Sequence, residues 1–438
     1  MKVTRFDWDG ADAVKLARAI RALQPPLGEA TEAVAEIVSS VESEGDAAVR
    51  RFEKRFGGVV AESLQVPNEE LREAPDRVSP EFAGALRTAI ANVTRVAGAE
   101  AVEVTATGGD GSGVAFQEVP IAAAGAYVPG GEAAYPSTAV MCCVPARVAG
   151  VERVAVATPP DPDGKVSAEV LAACALAGAT EVYAMGGAQA IAALALGTDT
   201  VAPVDIVVGP GNRYVQEAKR QLLGRVGIDG IAGPSELMAV VDEGVELRWI
   251  ALDLCAQAEH ADDGLLIAAA AGADLLVELE ELVERVAGEA ETVQDAALAL
   301  VTIPSANAAV ELANAVAPEH LELACEGAEV LAQMVRYAGC VFVGAAAATA
   351  FGDYAVGSNH VLPTGGAGRF QGPLGPETFR RRTAIVELGT EAARELAPAV
   401  ATLARAEGFP VHAESAEIRG RSADARGSGG EADGPPVS

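Results

Sequence analysis

From about Pro120 onward the sequence repeats one unit, and this repetition limits the available folds more than any other feature. The unit is a short apolar run, a turn and a helical stretch. Val154 to Thr158 precedes a helical pattern around Ala168 to Ala177; Val182 to Met185 precedes Gly186-Gly187 and a helix through Leu196; Ile206 to Val208 precedes Gly209-Pro210-Gly211 and a helix through Leu223. A second alternating region holds Leu237 to Val241, a helix from Leu247 through Glu259, Leu265 to Ala269, and a helix from Leu275 to Ala287. It continues with Leu298 to Ile303, a helix ending near Val316 and a strand at Cys340 to Val343. Strands alternating with helices of this length require crossover connections and hence parallel sheets. The pattern predicts two α/β domains, one of them between about 120 and 234.

Residues from about Asp12 to Arg55 read as helices, with Val34, Ile37, Val38 and Val41 on one helical face, and predict a helical arm leading into a first domain. Ala101 to Val119 alternates around Gly108-Gly109-Asp110-Gly111, which predicts a hairpin or two short strands. Gly420 to Ser438 is Gly, Ser, Pro, Ala and charge with almost nothing to bury, and is expected to be a disordered tail.

Charge narrows the function. The chain of 438 residues carries 32 Lys and Arg against 62 Asp and Glu, a net charge of −30. Such a field repels phosphate backbones and anionic lipid, so no nucleic acid and no membrane partner is expected. Apolar runs such as Cys340 to Gly352 are too short for a membrane span. The start, with Asp7, Asp9 and Asp12, lacks the basic, then apolar, character of a signal peptide, so a cytoplasmic location is expected. Cys142, Cys143, Cys174, Cys255, Cys325 and Cys340 form no C-x-x-C pair and read as small buried hydrophobes in a reducing compartment. Lysine occurs at five positions only. A high-salt, halophilic source would favour this composition because mobile cations screen self-repulsion; a GC-rich genome would explain the arginine but not the charge.

The candidate chemistry centres on the four histidines, His260, His320, His360 and His412, each in a short polar cluster or turn. Gln257 and His260, three apart at a helix end, project from one face, a spacing that suits two ligands of one metal or a solvated helix face. With His412 and Asp353, which ends an apolar run, they would make a thiolate-free set suited to zinc or a similar divalent ion with room for substrate. Glu319-His320, just after Pro318, reads as an acid/base pair or as an ordinary helix start. Gly186-Gly187 and Gly209-Pro210-Gly211-Asn212 sit where strands hand over to helices, the places where α/β sheets bind ligands. No G-x-G-x-x-G follows the first strand of either domain, so a nicotinamide cofactor is not legible from spacing.

At these motifs the sequence resembles the histidinol dehydrogenase family, from the N-terminal helices to about residue 415. The resemblance is carried by Tyr127-Val128-Pro129-Gly130-Gly131, Tyr135-Pro136-Ser137-Thr138, Gly186-Gly187-Ala188-Gln189-Ala190-Ile191-Ala192, Gly209-Pro210-Gly211-Asn212 and Gly233-Pro234-Ser235-Glu236. Gln257-Ala258-Glu259-His260, Pro318-Glu319-His320-Leu321-Glu322, Gly352-Asp353-Tyr354-Ala355 and Gly357-Ser358-Asn359-His360-Val361-Leu362-Pro363-Thr364 extend it. It implies a cytoplasmic, zinc-dependent homodimer with shared active sites that oxidises L-histidinol to L-histidine with two NAD, by way of the aldehyde. Gln257, His260, Asp353 and His412 match the zinc ligands, and Glu319 and His320 the acid/base pair. Ser235, His360 and Glu407 match substrate contacts, a group that also includes His320 and the four zinc ligands; Tyr127, Gln189 and Asn212 match positions near NAD. The implied fold is α/β, two Rossmann-like parallel-sheet domains with an N-terminal helical arm (1–25) and a C-terminal dimerisation arm (376–415) before the tail (416–438). The first α/β domain, 26–119 plus 235–375, would hold the metal and acid/base residues, and the second, 120–234, the NAD side. Gln371 to Pro376 and Val356 depart from the family pattern and leave the loop conformation there open. Competing readings are a zinc-dependent dehydrogenase of another amino or sulfonated alcohol, a zinc hydrolase, and a metal-binding assembly protein.

Overall fold

The structure is a computed structural model that describes residues 1–24, 30–99, 106–109, 112–130, 134–260 and 262–421. Strand β1 (Lys2–Asp7) and helix α1 (Ala13–Arg21) come first, then helices α2 (Thr31–Glu44), α3 (Asp46–Phe52), α4 (Asn68–Glu73) and α5 (Pro80–Ala99) and strands β2 (Ala106–Gly109) and β3 (Ser112–Pro120). The next stretch alternates: β4 (Ala123–Tyr127), α6 (Pro136–Ala149), β5 (Arg153–Thr158), α7 (Ala168–Ala177), β6 (Glu181–Ala184), α8 (Gly187–Leu196), β7 (Ile206–Val208), α9 (Arg213–Leu222) and β8 (Gly227–Ile228). So does the one after it: β9 (Glu236–Val241), α10 (Leu247–Ala258), β10 (Leu265–Ala270), α11 (Ala273–Glu289), β11 (Ala297–Thr302), α12 (Ala306–Val316), β12 (His320–Ala324), α13 (Ala328–Ala332), β13 (Cys340–Val343) and α14 (Thr349–Tyr354). Strand β14 (Arg380–Leu388) and helices α15 (Thr390–Ala406) and α16 (Pro410–Arg421) end the described chain.

The alternation produces two parallel sheets, one ordered β6-β5-β4-β7-β8 and the other β1-β11-β10-β9-β12-β13. Their central strands are buried at every position, β9 and β10 included, because helices cover both faces; uninterrupted apolar runs such as Leu265–Ala270 are what such strands need. Polar side chains set several helix starts, with Ser167 capping α7, Asn212 capping α9 and Ser305 capping α12. Both sheets lie in one unit, 1–101 with 121–379, and a second unit takes 102–120 and the chain from Arg380.

In several places the chain departs from the expected division. Residues 2–7 do not lead a helical arm: β1 adds in parallel to the edge of the six-stranded sheet, Lys2 opposite Ala297, and Ile20 of α1 lies in the core under that sheet. The helices of 30–99, expected beside the six-stranded sheet, cover the five-stranded one. Val34, Ile37 and Val41 pack with Ala155 and Ile191 on one face, and Leu86 and Val93 with Val140 and Val154 on the other. The hairpin 106–120 belongs to neither parallel sheet, since β3 pairs antiparallel with β2 and β14 in the second unit. Residues 416–421, expected in the tail, continue α16. His320 opens a strand, not a helix. Asp110 and Gly111 of the Gly-rich turn, Gly131 of the first motif and residues 422–438 of the tail lie outside the described residues.

In the second unit α15 and α16 pack against each other through Ala401, Ala404 and Ala413. Large apolar side chains on these helices, Leu396, Leu403, Val411 and Ile418 among them, and Phe409 in the turn between them stay exposed.

Candidate active site

Strand order reverses between β9 and β12: the chain moves outward from β9 to β11, then returns to lay β12 on the other side of β9. At the amino ends of these two strands lie Glu319 and His320, the pair expected to act as acid and base. Glu236 begins β9 and His320 begins β12, with His320 opposite Leu237 in the ladder. The Glu236 backbone holds both members of the pair, its N–H donating to Glu319 Oε2 (2.9 Å) and its carbonyl lying 3.1 Å from His320 Nδ1. A carbonyl only accepts, so that contact assigns a proton to Nδ1 and directs Nε2 away from the sheet. Helix α10 returns the chain from β9 to the start of β10, so its last turn brings Gln257, and His260 just beyond, to the same edge.

Gln257 is buried, and its Oε1 has no hydrogen-bond partner among the described residues. Asp353, on α14 packed against α10, has Oδ1 3.6 Å from His320 Nε2, which also lacks a hydrogen-bond partner there. His360 Nδ1 bonds the Asp353 carbonyl (2.9 Å), while its Nε2 lies 3.3 Å from Thr138 Oγ1 at the start of α6. The cluster thus joins the amino edge of the six-stranded sheet to the carboxyl side of β4. Ser235 is half-buried directly before Glu236. Burial pushes Glu319 up to about 7, against the pull of His320 and the Glu236 N–H. Burial disfavours charged His320, but Glu319 and Asp353 outweigh it and hold the imidazole at about 9. Burial likewise penalises ionised Asp353, yet the surrounding imidazoles, His320 foremost, keep its pKa low. His260 is exposed to solvent, yet the protein crowded around it, like the burial of His360, disfavours the charged imidazole and lowers both. Among the described residues no three His, Cys, Asp or Glu side chains gather closely enough to hold a metal ion. Glu407 and His412 lie in the second unit, both exposed, the His412 ring 5.5 Å from that of Phe409.

The five-stranded sheet reverses its order between β4 and β7, and there the expected dinucleotide residues lie at the carboxyl edge. Tyr127 ends β4, and the Gly209-Pro210-Gly211-Asn212 turn follows β7. Gly209 has φ +112°, and a Cβ there would stand 2.2 Å from the Tyr127 carbonyl oxygen, so only glycine lets the two strand ends approach. Buried Lys219 donates to the Gly209 carbonyl (3.0 Å) and pairs with Asp229, which accepts the Gly209 N–H (2.7 Å). Buried Gln189 donates to Glu53 (2.7 Å), which also accepts the Gly186 N–H (2.8 Å), and the Tyr127 hydroxyl accepts the Gly187 N–H (3.0 Å). The exposed Asn212 accepts the N–H groups of Tyr214 and Val215. Gln371, in the loop that departs from the family pattern, donates to the Asp229 carbonyl.

The histidinol dehydrogenase family model matches residues 24–420. The chain belongs to the histidinol dehydrogenase family. The histidinol dehydrogenase of Synechococcus sp. is 42% identical over 390 residues, 86% of this chain and 89% of that protein. That of Bacillus licheniformis is 40% identical over 418 residues, 92% of this chain and 96% of that protein. The crystal structure of histidinol dehydrogenase from Elizabethkingia anophelis superposes with a TM-score of 0.89 at 27% identity, covering 97% of this chain and 99% of that one. Membership makes the chain an oxidoreductase with the mixed α/β, parallel-sheet fold of the family. Among the described residues no helix is long and apolar enough to cross a membrane.

Sequence reasoning missed Glu236, Glu53 and the Lys219–Asp229 pair. Only Glu236 lies inside one of the family motifs, and its contacts with Glu319 and His320 run through its backbone, which residue type does not reveal.

Proposed function

We propose that this chain oxidises L-histidinol to L-histidine in two NAD-dependent steps through the aldehyde, at a zinc site. The observation that carries the reading is the placement of Glu319 and His320 between the Glu236 backbone and Asp353, with the unpartnered buried oxygen of Gln257 in the last turn of the helix that returns the chain to that sheet edge. A buried amide oxygen, an imidazole and a carboxylate fit a borderline divalent ion and leave coordination open. Gln257, His260 and Asp353 would hold zinc, with His412 as a further ligand. Gln189, Tyr127 and Asn212 would meet NAD at the reversal of the five-stranded sheet, where open α/β sheets take dinucleotides.

Zinc, held by Gln257, His260, Asp353 and His412, would serve as a template that orients the substrate, and two NAD bound in succession would each accept one hydride. His320, its Nδ1–H turned to Glu236, takes the hydroxyl proton at Nε2 in the first oxidation. Positive charge beside Asp353 offsets part of the field that holds His320 at about 9, so the imidazole can act as a base nearer neutrality. Glu319 takes a proton from the water that adds to the aldehyde, and a pKa of about 7 lets it cycle between both states at neutral pH. Ser235, His360 and Glu407 hold the substrate.

A homodimer is part of the same reading. Exposed Glu407 and His412, flanked by exposed Phe409 and Val411, are presented for a second copy, whose site they would complete. A cytoplasmic setting suits a biosynthetic oxidoreductase with six free cysteines, and a net charge of −30 favours one rich in salt.

The test is NADH formation from L-histidinol and NAD, followed by absorbance, with and without chelator. Chelation should abolish it and zinc restore it. His320→Asn should keep its zinc and lose turnover by about a hundredfold or more, whereas His260→Asn should lose zinc first. NADH from another amino or sulfonated alcohol but not from histidinol would move the assignment to a related dehydrogenase. No NADH from either would overturn it.

A further inference from the structure

We propose that Arg21 is a positioning residue for the acid/base pair, reaching it from the first helix; the inference rests on the roles given to Glu319 and His320 above. Arg21 ends α1 and its guanidinium spans two backbone segments. Nη1 and Nη2 donate to the two carboxylate oxygens of Glu236 (2.8 and 3.1 Å). Nε and Nη2 donate to the Val316 carbonyl (3.1 and 2.6 Å), and Nη2 also reaches the Ala317 carbonyl (3.3 Å).

These are the segments that carry the site. Glu236 is 1% exposed, and besides Arg21 its side chain accepts from the Gly365 N–H (3.0 Å). Its backbone orients Glu319 and His320. Val316 ends α12, and Ala317 turns the chain with φ 50° and ψ 64°, a left-handed conformation that, among the described non-glycine residues, only Asp12 shares in having positive φ. Three residues beyond that turn is His320.

The carbonyls at a helix end need donors, and the fixed fork of an arginine can serve them and a carboxylate together. A lysine delivers one point charge and cannot span both. Without the guanidinium, the Glu236 carboxylate would be buried with no cation bonded to it, and Ala317 would lose the bonds that favour its unusual backbone angles. Both effects loosen the ends of β9 and β12 between which His320 and Glu319 are aimed. The family model match begins at residue 24, so the brace comes from a segment outside it.

The experiment compares Arg21→Met and Arg21→Lys, each alone and combined with Ala317→Gly, with Ala317→Gly and the wild type in parallel, all as zinc-loaded enzyme. Arg21→Met should lower kcat about tenfold or more, with KM for NAD and zinc per subunit unchanged. Arg21→Lys should fall between it and the wild type. Glycine takes the left-handed angles without help, so the Arg21→Met loss measured against Ala317→Gly should shrink by about threefold or more. Should Arg21→Met fail to fold, the Arg21→Lys pair supplies the same comparison. An unchanged kcat in folded Arg21 variants, or a loss of equal size in both backgrounds, would overturn the proposal. A wild type inactive with histidinol would instead overturn the functional reading beneath it.

Discussion

At the scale of residues, two glutamates on one short stretch show how burial is put to different uses. Glu319 meets a backbone N–H and an imidazole. Glu322, two positions along β12 from His320, is fully buried opposite Asp253 of α10, and neither of its oxygens has a hydrogen-bond partner among the described residues. Burial first, then the charge of Asp253, pushes the Glu322 carboxyl well above the usual carboxylate range. The folded chain therefore keeps a proton that an unfolded glutamate releases above about 4.3. Stability from this group is fully present below that pH and is lost as pH rises towards the raised folded value. Glu322→Gln removes the titration, so its stability relative to the wild type should improve by about 1 kcal/mol or more between pH 5 and pH 8. Parallel melting-temperature curves for the two across that range would contradict it. Gln257, His260, Asp353 and the Glu319-His320 pair were legible as reactive side-chain types in turns or at helix ends. Their mutual distances were not, because they are set by sheet order, and Glu236 contributes through main-chain atoms that every residue has.

At the scale of elements, alternating apolar runs and helical stretches made β5 to β7, β9 to β11, β13 and helices α7 to α12 legible, since parallel strands buried on both faces must be continuously apolar. Strand β4, made largely of small residues, the two-residue β8, and β12, which opens on His320 and carries Glu322, were not. Strand β1 was not, because Lys2–Asp7 alternates charge with apolar residues as an edge strand can, and its partner lies almost 300 residues away. The placement of α2 to α5 depended on which sheet offered a matching apolar face, which periodicity does not encode. Turn glycines carry more specific information. Gly209→Ala would set a methyl group against the Tyr127 carbonyl and force a positive φ on a residue with a Cβ. The β4–β7 edge should open, and KM for NAD should rise about tenfold or more while bound zinc is unchanged. An unchanged KM for NAD would separate this turn from dinucleotide binding.

At the scale of the molecule, the charge of −30 and the exposed C-terminal helices each make a demand. Self-repulsion is relieved by screening, so the melting temperature should climb as potassium chloride is raised from dilute buffer to molar concentration. A flat response would contradict adaptation to salt. If His412 serves a second copy, His412→Ala and His320→Ala chains, each inactive alone, should complement when unfolded and refolded together. Half the dimers formed at random are mixed, and each has one intact site of two, so activity should return to about a quarter of the wild type. Mixed dimers without activity would assign His412 to its own chain or to no metal. Two oxidations at one site are read most directly as NADH formed per histidinol consumed, with histidinol limiting and NAD in excess. Two NADH for each histidinol, with histidine as product and no free aldehyde accumulating, is the predicted result; one NADH, with the aldehyde building up in solution, would contradict it.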